Sequence, residues 1–485
     1  MPLWIFILVV VLTLIIQGPL TLSTGLLARD DRWLTAPLKD VHNFGDWWAL
    51  IRSGTLPDFQ PIRDLSYWID WQVARALGTD PHFHLTNILI WWAILALVWE
   101  VTRKVFPEGQ RHGLAEGHRK GFSIAAIVVF VMAIHPVAVE PVAWVSGRKH
   151  LLSLLFTLVA TRLLLGKLNP ARALIVVTAF TAGALAQPIN LLWPIWAATF
   201  LVTSKNLGWA RENRMVIAIL TAGLLFVSLS TIALNMTVYQ GVTWFGFQLT
   251  PHAEIYGKKL GGIRWDELDL SMLAAGRYFF NLLIPFNIAH RYSTGALSNL
   301  VGLLMIPMAA WAGIRLREKR KEFWFCFLHA SLPILVVTAQ LSDIFVADSY
   351  ALAALPGTML AAAVMLQEST STVKGMRWVF AAVCGLTLAQ SVFAARAWTS
   401  AEALWSRSQA VEETPDSLYF TAGDLLNQGK FDEGLERAVR LLELSPGREK
   451  PVRLFITAVC KHPRLPAEEK RAFFARLGIP EAHCN

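Results

Sequence analysis

The sequence has little charge and few cysteines. Only 16% of its 485 residues are Asp, Glu, Lys or Arg, whereas soluble domains carry about 25%. Disordered chains are polar and charged, so this deficit excludes both general disorder and an assembly of soluble domains. The four cysteines are too few for a disulfide-stapled scaffold, and no CxxC or Cys/His spacing indicates a metal module.

Apolar and aromatic residues are abundant instead. Hydrophobic residues make up 54% of the chain, which also contains 20 Trp and 27 Phe, and the mean hydropathy is +0.45. These figures predict a polytopic membrane protein. The net charge of +9 does not indicate a nucleic-acid partner, because Lys and Arg gather in the cytoplasmic loops of membrane proteins.

The apolar segments predict an all-α bundle of about eleven membrane spans, since a spanning helix needs roughly 17–25 apolar residues. A twelfth apolar stretch, 273–289, contains Arg277 and Asn281, which favours an interfacial or half-helix position. The eleven spans are expected at about 3–22, 87–103, 121–135, 149–166, 172–186, 189–203, 214–234, 296–315, 323–341, 349–366 and 376–396.

Basic residues predict the orientation of the bundle. They cluster between spans two and three, six and seven, and eight and nine, and the eleven-span arrangement puts all three loops in the cytoplasm. The N-terminus is then inside and the C-terminus outside. The first span lacks a basic n-region and a cleavage site, so we expect a retained anchor. The basic residues are Arg103, Lys104, Arg111, Arg119, Lys120, Lys205, Arg211, Arg214, Arg315, Arg317, Lys319, Arg320 and Lys321.

Two outer loops, 23–86 and 235–272, are long, and long loops often carry function. The first contains two amphipathic patches, one from Phe44 to Ile51 and one from Leu65 to Ala76. Each patch would lie on the membrane surface or pack on the top of the bundle.

The composition changes after Arg396, which divides the chain into a membrane domain, 1–396, and a charged outer helical domain, 397–485. The run LNQGKFDEGLERAVRLLELSP resembles one tetratricopeptide repeat, with Gly434 as the small residue where its helices cross. A plain helical hairpin is the alternative. The domain would offer a docking surface to a protein partner, and the sequence does not decide whether Cys460 and Cys484 pair.

Two groups of polar residues stand out near the predicted outer face. The adjacent carboxylates Asp30 and Asp31 follow the first span, where such a pair can accept a proton or hold a divalent metal, although it more often caps a helix. The string HPVAVEPVAWVSGRKH, residues 135–150, brings Arg148 and Lys149 together, and these side chains suit a phosphate. An outer loop without a ligand is the alternative for this string.

Three further candidates lie on the same face. His84 and Asn87 share a helix face through their three-residue spacing, although they would also serve to anchor that helix end. Asp348 begins the tenth span, and Arg277 lies near the outer interface with Tyr292. All five candidates fall outside the cytoplasm in the topology derived from the basic loops, which predicts one outward-facing site.

Seven sequence motifs of the chain are similar to motifs of a known protein family. In these strings the chain resembles the short, bacterial-like members of the transmembrane and tetratricopeptide-repeat (TMTC-like) family. The most specific is HPVAVEPVAWVSGRK, and all of them occur in the family's order. The strings are the acidic pair with QPIRDLSYWID, then HFHLTN, HPVAVEPVAWVSGRK, LAQPINLLWP, GRYFFNLLIP, VADSY and WTSAEALWSRSQAVEETPDS.

The resemblance implies a GT-C glycosyltransferase fold and an inverting transfer of sugar from a polyprenyl-phosphate carrier to a protein or glycan hydroxyl. It implies that Asp30 or Asp31 is the general base, and it assigns no metal, although a divalent ion stays an open option. The donor phosphate would be bound by Arg148 and Lys149, with Arg63 and Arg277 as further candidates. The pocket-lining residues would be His135, Glu140, His84, Asn87, Asp348 and Tyr350.

The chain departs from the family pattern at three charged positions. His150 replaces an Asp, Gln187 replaces a Lys and Ser349 replaces an Arg. The alternative function is therefore a catalytically degenerate subunit that binds the lipid carrier or protein partners. A transporter is disfavoured, because its polar sites would lie near the bilayer midplane. We expect a bacterial inner-membrane protein with its C-terminus in the periplasm.

Overall fold

The computed structural model describes most of the chain, and within the described part the backbone is almost entirely helical. Outside the helices, the backbone pairing among described residues includes one isolated antiparallel bridge between Tyr292 and Val346. The described residues are 1–21, 29–53, 56, 59–106, 124–204, 209, 212–238, 268–286, 288–292, 297–315, 320–341, 346–369, 376–445 and 449–476.

We number the α-helices in chain order. They are α1 Leu3–Thr21, α2 Arg29–Thr35, α3 Phe44–Ser53, α4 Pro61–Leu77, α5 Phe83–Val105, α6 Ile124–Ala133, α7 Val139–Ala143, α8 Arg148–Leu164, α9 Pro170–Ala186, α10 Trp193–Ser204, α11 Arg214–Val238, α12 Leu268–Leu283, α13 Leu297–Arg315, α14 Arg320–Leu341, α15 Asp348–Ala351, α16 Leu355–Ser369, α17 Met376–Ala397, α18 Ala401–Val411, α19 Pro415–Asn427, α20 Phe431–Leu444, α21 Glu449–Lys461 and α22 Ala467–Arg476.

Seven helical stretches in the described residues are long and apolar enough to cross a membrane. They belong to α1, α5, α11, α13, α14 and α17, together with the continuous stretch Asp348–Met365. The finding agrees with a helical membrane bundle. The count of eleven spans stays a prediction, because α9 and α10 are shorter apolar helices and α8 begins with two basic residues.

An eighth span is formed if α6 and the following stretch Pro136–Ala143 are joined, although the two are bent by 56°. The bend follows from local sequence. Pro136 occupies the first position of a short 3₁₀ turn, and the His135 ring accepts a hydrogen bond from the backbone N–H of Val137. A proline starts a helix well because its ring fixes φ and it has no N–H to satisfy.

A close backbone approach sets the next turn. A Cβ on Gly147 would lie 2.6 Å from the carbonyl oxygen of Pro141, so only glycine fits there. The chain therefore passes through α7 and the 3₁₀ turn Val145–Gly147 before α8 begins. This folded-back path brings Glu140 and Arg148 to the same end of the bundle.

Helix α4 carries its charges inward. It begins at Pro61 and ends at Gly78, whose φ of +66° suits the left-handed end of a helix. Arg63, Asp64 and Asp70 are buried, whereas the apolar side chains of the patch predicted from the sequence, Ile69 and Val73, are exposed. The inner face of α4 therefore combines these charged residues with the buried Tyr67 and Ala74.

Helices α5 and α8 run parallel. Asn87 near the start of α5 contacts Arg148 at the start of α8, and Glu100 near the end of α5 lies 3.6 Å from Arg162 near the end of α8. We call the end that holds Asn87 and Arg148 the site end. The basic residues Arg103 and Lys104 lie in the last turn of α5, at the opposite end.

Several predicted features lie outside the described residues. These are the central parts of the basic loops, 107–123, 205–208, 210–211 and 316–319, most of the outer loop 235–272, and Cys484.

The C-terminal helices α19 and α20 form a hairpin. Thr414 and Ser417 cap α19 reciprocally, and Gly429 turns the chain with a φ of +77°. A Cβ on Gly434 would lie 2.8 Å from the Leu426 side chain, so a small residue is required where the helices cross. The tetratricopeptide assignment stays a prediction.

Cys460 is disulfide-bonded, and its partner lies outside the described residues.

Candidate functional site

Asp31 joins α2 to the turn before α8. Its side chain is 2% exposed, and its Oδ1 accepts hydrogen bonds from the Ser146 backbone N–H at 3.0 Å and the Ser146 hydroxyl at 2.7 Å. Asp31 thus fastens α2 to the turn Val145–Gly147. The side chain of Asp30, the other predicted base, lies outside the described residues.

Arg148 is completely buried, and its three nitrogens all have partners within the chain. Nη1 lies 2.6 Å from Asp70 Oδ2, Nε donates to Asn87 Oδ1 at 2.8 Å, and Nη2 donates to the Phe83 carbonyl at 2.8 Å. The guanidinium also lies over the Tyr67 ring, 4.6 Å from its centroid. All of these partners belong to the chain, and the expected contact of Arg148 with a lipid phosphate stays a prediction.

Tyr67 completes this contact set. Its hydroxyl donates to the Val145 carbonyl at 2.8 Å. Burial raises the pKa of Tyr67 well above its ordinary value, against the lowering effect of Arg148 and Arg63. The phenol is therefore a neutral donor that holds α4 against the turn before α8.

Arg63 is also enclosed. Its Nη2 lies 2.7 Å from Asp64, and its Nη1 donates to Gln60 Oε1 at 3.0 Å. The amide of Gln60 in turn donates to Gln187 Oε1 at 2.7 Å. Gln187, one of the three departures from the family pattern, therefore links the end of α9 to the start of α4.

Glu140 lies at the centre of a second cluster and is 3% exposed. His290 Nδ1 lies 3.1 Å from its Oε1, and Arg291 Nη1 lies 3.5 Å away. The Ser349 backbone N–H and hydroxyl donate to its two oxygens at 3.3 and 3.2 Å. Ser349, another departure, is therefore a direct partner of the Glu140 carboxylate.

The imidazole of His290 is enclosed by three indoles. Its centroid lies 5.7 Å from the ring of Trp144, and 5.1 Å from those of Trp398 and Trp405. Burial, with help from Arg291, lowers the pKa of His290 below its ordinary value, while Glu140 opposes that shift. The ring is thus held in an environment that favours its neutral form.

Asp348 forms a third cluster beside Glu140. Its two oxygens accept from the Asn281 amide and the Tyr292 hydroxyl, each at 2.7 Å. Burial, and then the charge of Asp348, raise the pKa of Tyr292 well above its ordinary value, so the phenol donates. Arg277 lies over the Tyr292 ring, 3.9 Å from its centroid.

The C-terminal helices reach these clusters. Glu412 lies 3.6 Å from Arg277, and Asp416 lies 3.8 Å from Arg291. Arg407 donates to the Ile288 carbonyl at 3.1 Å. The segment 288–292 is therefore held between the membrane helices and α18–α19.

The remaining histidines differ in their contacts. His135 Nε2 lies 3.2 Å from the Leu282 carbonyl, so this side chain joins two helix ends. His84 is buried at the start of α5. His150 is 2% exposed and lies edge-on to the Tyr350 ring with the centroids 4.8 Å apart. Among the described residues, neither of its ring nitrogens has a hydrogen-bond partner.

Lys149 has a different environment from its neighbours. It is partly buried, and its Nζ lies 5.7 Å from the centroid of the Trp144 ring. Among the residues that the structure describes, no group of three His, Cys, Asp or Glu side chains is arranged to hold a metal ion.

Several members of these clusters were not singled out as site residues from the sequence. They are Asp70, His290 and Arg291, together with the helical-domain carboxylates Glu412 and Asp416. Charge provides a signal for one pair, since His290-Arg291 is a basic dipeptide between two apolar stretches of a chain with little charge. The carboxylates have no such signal, because acidic residues are common in the C-terminal region.

Comparison with known proteins finds no matching protein-family model and no matching curated protein. The family resemblance of the motifs therefore stays a prediction.

Proposed function

We propose that the protein is a membrane glycosyltransferase that moves a sugar from a polyprenyl-phosphate carrier to a protein or glycan hydroxyl on the outer face of the membrane. The observation that supports this most is the convergence of buried polar groups at the site end. Asp31, Glu140, Arg148 and Asp348 come from four separate segments, and each is almost completely buried. Buried ionisable groups at the end of an apolar bundle are costly and mark functional sites.

The proposed reaction is a single displacement. The acceptor oxygen attacks the anomeric carbon, its proton passes to a carboxylate, and the bond between the anomeric carbon and the phosphate oxygen breaks with its electrons on the phosphate. The anomeric centre is inverted. Asp30 is the proposed base, because Asp31 already accepts two hydrogen bonds from Ser146. No metal is needed by this step.

The leaving phosphate needs positive charge nearby. Lys149 is the proposed ligand, at the start of α8. Arg148 has a positioning role in the proposal, since its partners Asp70 and Asn87 lie on α4 and α5 and hold those helices against α8. In the proposal, Arg63 and Arg277 also have positioning roles, because each is paired with a carboxylate of the chain.

The test compares Asp30→Asn with Asp31→Asn in a sugar-transfer assay that uses membranes and a panel of polyprenyl-phosphate sugars. We expect the first variant to lose about 10²–10⁴-fold in rate, the usual contribution of a general base. The second should lose less, because an Asn oxygen can still accept from Ser146. If both variants keep the full rate, the mechanism is wrong.

The alternative is a non-catalytic subunit that binds the carrier or a protein partner through its C-terminal helices. One observation favours it: Arg63, Arg148, Arg277 and Arg291 each have a carboxylate of the chain within 4 Å. Such a subunit would bind a polyprenyl phosphate without turnover, so binding without transfer in the same assay would support it.

The proposed location is a bacterial inner membrane with the C-terminal helices in the periplasm. The disulfide bond of Cys460 supports this side of the membrane, because disulfides persist in oxidising compartments.

A further inference from the structure

Helix α8 begins with an unusual concentration of basic residues. Its first three residues are Arg148, Lys149 and His150, its first turn has no acidic residue, and Gly147 gives it no side-chain cap. A helix N-terminus carries a partial positive charge and unsatisfied N–H groups, so basic residues are unfavourable there and an anion is favourable. Asp70 neutralises Arg148.

His150 provides an independent observation. Its side chain is 2% exposed, yet within the part of the chain that the structure describes neither ring nitrogen has a hydrogen-bond partner. Burying an unpartnered donor and acceptor is destabilising, and each such group in a native structure needs an explanation. Lys149 and Arg291, both cations, act electrostatically on the ring, and Arg291 is itself paired with Glu140 and Asp416. An anionic oxygen would be a suitable acceptor for the unpartnered imidazole N–H.

We infer that His150 donates a hydrogen bond to a phosphate oxygen of the lipid carrier at the N-terminus of α8, beside Lys149. The inference rests on the proposed function and deepens it, because it adds His150 to Lys149 as a phosphate contact. The Tyr350 ring packs edge-on against the imidazole, with the centroids 4.8 Å apart.

The inference distinguishes this chain from one with a carboxylate at position 150. An Asp there would carry a negative charge and would repel a phosphate. A neutral imidazole has one N–H donor whatever its tautomer, so it can approach an anion without repulsion. The change at His150 thus adds a phosphate contact instead of removing one.

The test uses the purified full-length protein in detergent and farnesyl phosphate as a short polyprenyl phosphate. The variant His150→Phe keeps an aromatic ring against Tyr350 and removes both nitrogens. We expect it to unfold at the same or a higher temperature than the parent without ligand, because two unpartnered polar atoms are gone. We expect its Kd for farnesyl phosphate to be about tenfold weaker, the loss typical of a hydrogen bond to a charged group.

Two further variants complete the test. His150→Gln keeps an N–H donor and should retain most of the parent's affinity. The matched control is His329→Phe, since His329 is another buried histidine that lies edge-on to an aromatic ring, Trp196, with the centroids 5.2 Å apart. This control should bind farnesyl phosphate like the parent.

The outcomes separate the two proposals. No binding of farnesyl phosphate by the parent overturns the proposed function and the inference together. If His150→Phe binds farnesyl phosphate like the parent and unfolds at a lower temperature, the inference alone is overturned. His150 then has a structural role. Equal affinity for inorganic phosphate or phosphatidylglycerol would identify a general anion site and contradict the carrier as its ligand.

Discussion

At the scale of single residues, the arginines of the site end form ion pairs that connect segments distant in sequence. Arg291 lies 3.5 Å from Glu140 of the membrane helices and 3.8 Å from Asp416 of the C-terminal helices. Arg277 similarly contacts Glu412. Buried ion pairs add little net stability compared with apolar packing, but breaking one leaves an uncompensated charge. These residues therefore specify geometry more than they stabilise the fold.

His290 gives a prediction for pH. Its pKa is lowered in the folded protein by burial and by Arg291, whereas the unfolded chain has the ordinary value of about 6.5. The unfolded chain therefore binds the proton first as the pH falls, and the His290 contribution to stability is present above about pH 6.5 and lost below it. We expect His290→Gln, which can still donate to Glu140, to show a smaller loss of unfolding temperature between pH 7.5 and 5.5.

The measurement is thermal unfolding in detergent at several pH values, with parent and variant in the same buffers. Identical pH slopes for the two proteins would contradict the prediction. A steeper slope in the variant would mean that the ring is protonated in the folded state.

At the scale of elements, α4 depends on α8 and α5. Its inner face carries Asp70, which contacts Arg148 and accepts a hydrogen bond from Thr86 at 2.8 Å. Its outer face carries exposed apolar side chains. The position of such a helix depends on its buried charges staying paired, because an unpaired buried charge is destabilising.

The ion pair between Asp70 and Arg148 predicts the effect of Asp70→Asn. The amide still accepts from Thr86, but Arg148 loses its carboxylate while it stays completely buried. We expect the free energy of unfolding to fall by about 3–5 kcal/mol, the typical cost of breaking a buried pair from one side. Thermal unfolding in detergent measures the loss.

Two controls accompany this variant. Glu413→Gln removes a partner of the solvent-exposed Arg440 and should leave the unfolding temperature nearly unchanged, since exposed ion pairs contribute little. Arg148→Met in the Asp70→Asn background should recover part of the stability, because the buried charge is gone. An unfolding temperature of Asp70→Asn equal to that of the parent would refute this account of α4.

The sequence was informative about elements and less so about their contacts. The turn before α8 follows from His135-Pro136 and Gly147, which are local signals. The pairing of Arg148 with Asp70 is not local, because it depends on how α4 lies on the bundle. Composition and spacing cannot distinguish an arginine that faces a lipid phosphate from one that faces a carboxylate of another helix.

At the scale of the whole molecule, the described polar clusters lie at one end of the bundle. The opposite end of α5 carries Arg103 and Lys104, which the positive-inside rule places in the cytoplasm. The sequence predicts this polarity because membrane insertion depends on summed charge. It cannot predict that Trp405 and Asp416 of the C-terminal helices contribute to the site end, since their contacts depend on docking.

The orientation is testable with single cysteines in chains whose own four cysteines are replaced. A cysteine at Glu443, which is exposed on α20, should react with a membrane-impermeant thiol reagent in intact cells. A cysteine at Lys321, exposed near the start of α14, should react only after permeabilisation. The reverse pattern would invert the topology and place the site end in the cytoplasm.

The inward charges of α4 have a consequence for biogenesis. Arg148 binds the Phe83 carbonyl, 65 residues earlier in the chain, and Asp70 lies earlier still. A ribosome releases α4 long before it releases α8, so the nascent loop first meets water and lipid with its carboxylate unpaired. The segment that contains α4 can therefore reach its folded structure only after α8 has been inserted. Ribosome-bound chains that end before residue 148 should leave this loop open to protease on the outer face, and chains that extend past α8 should protect it.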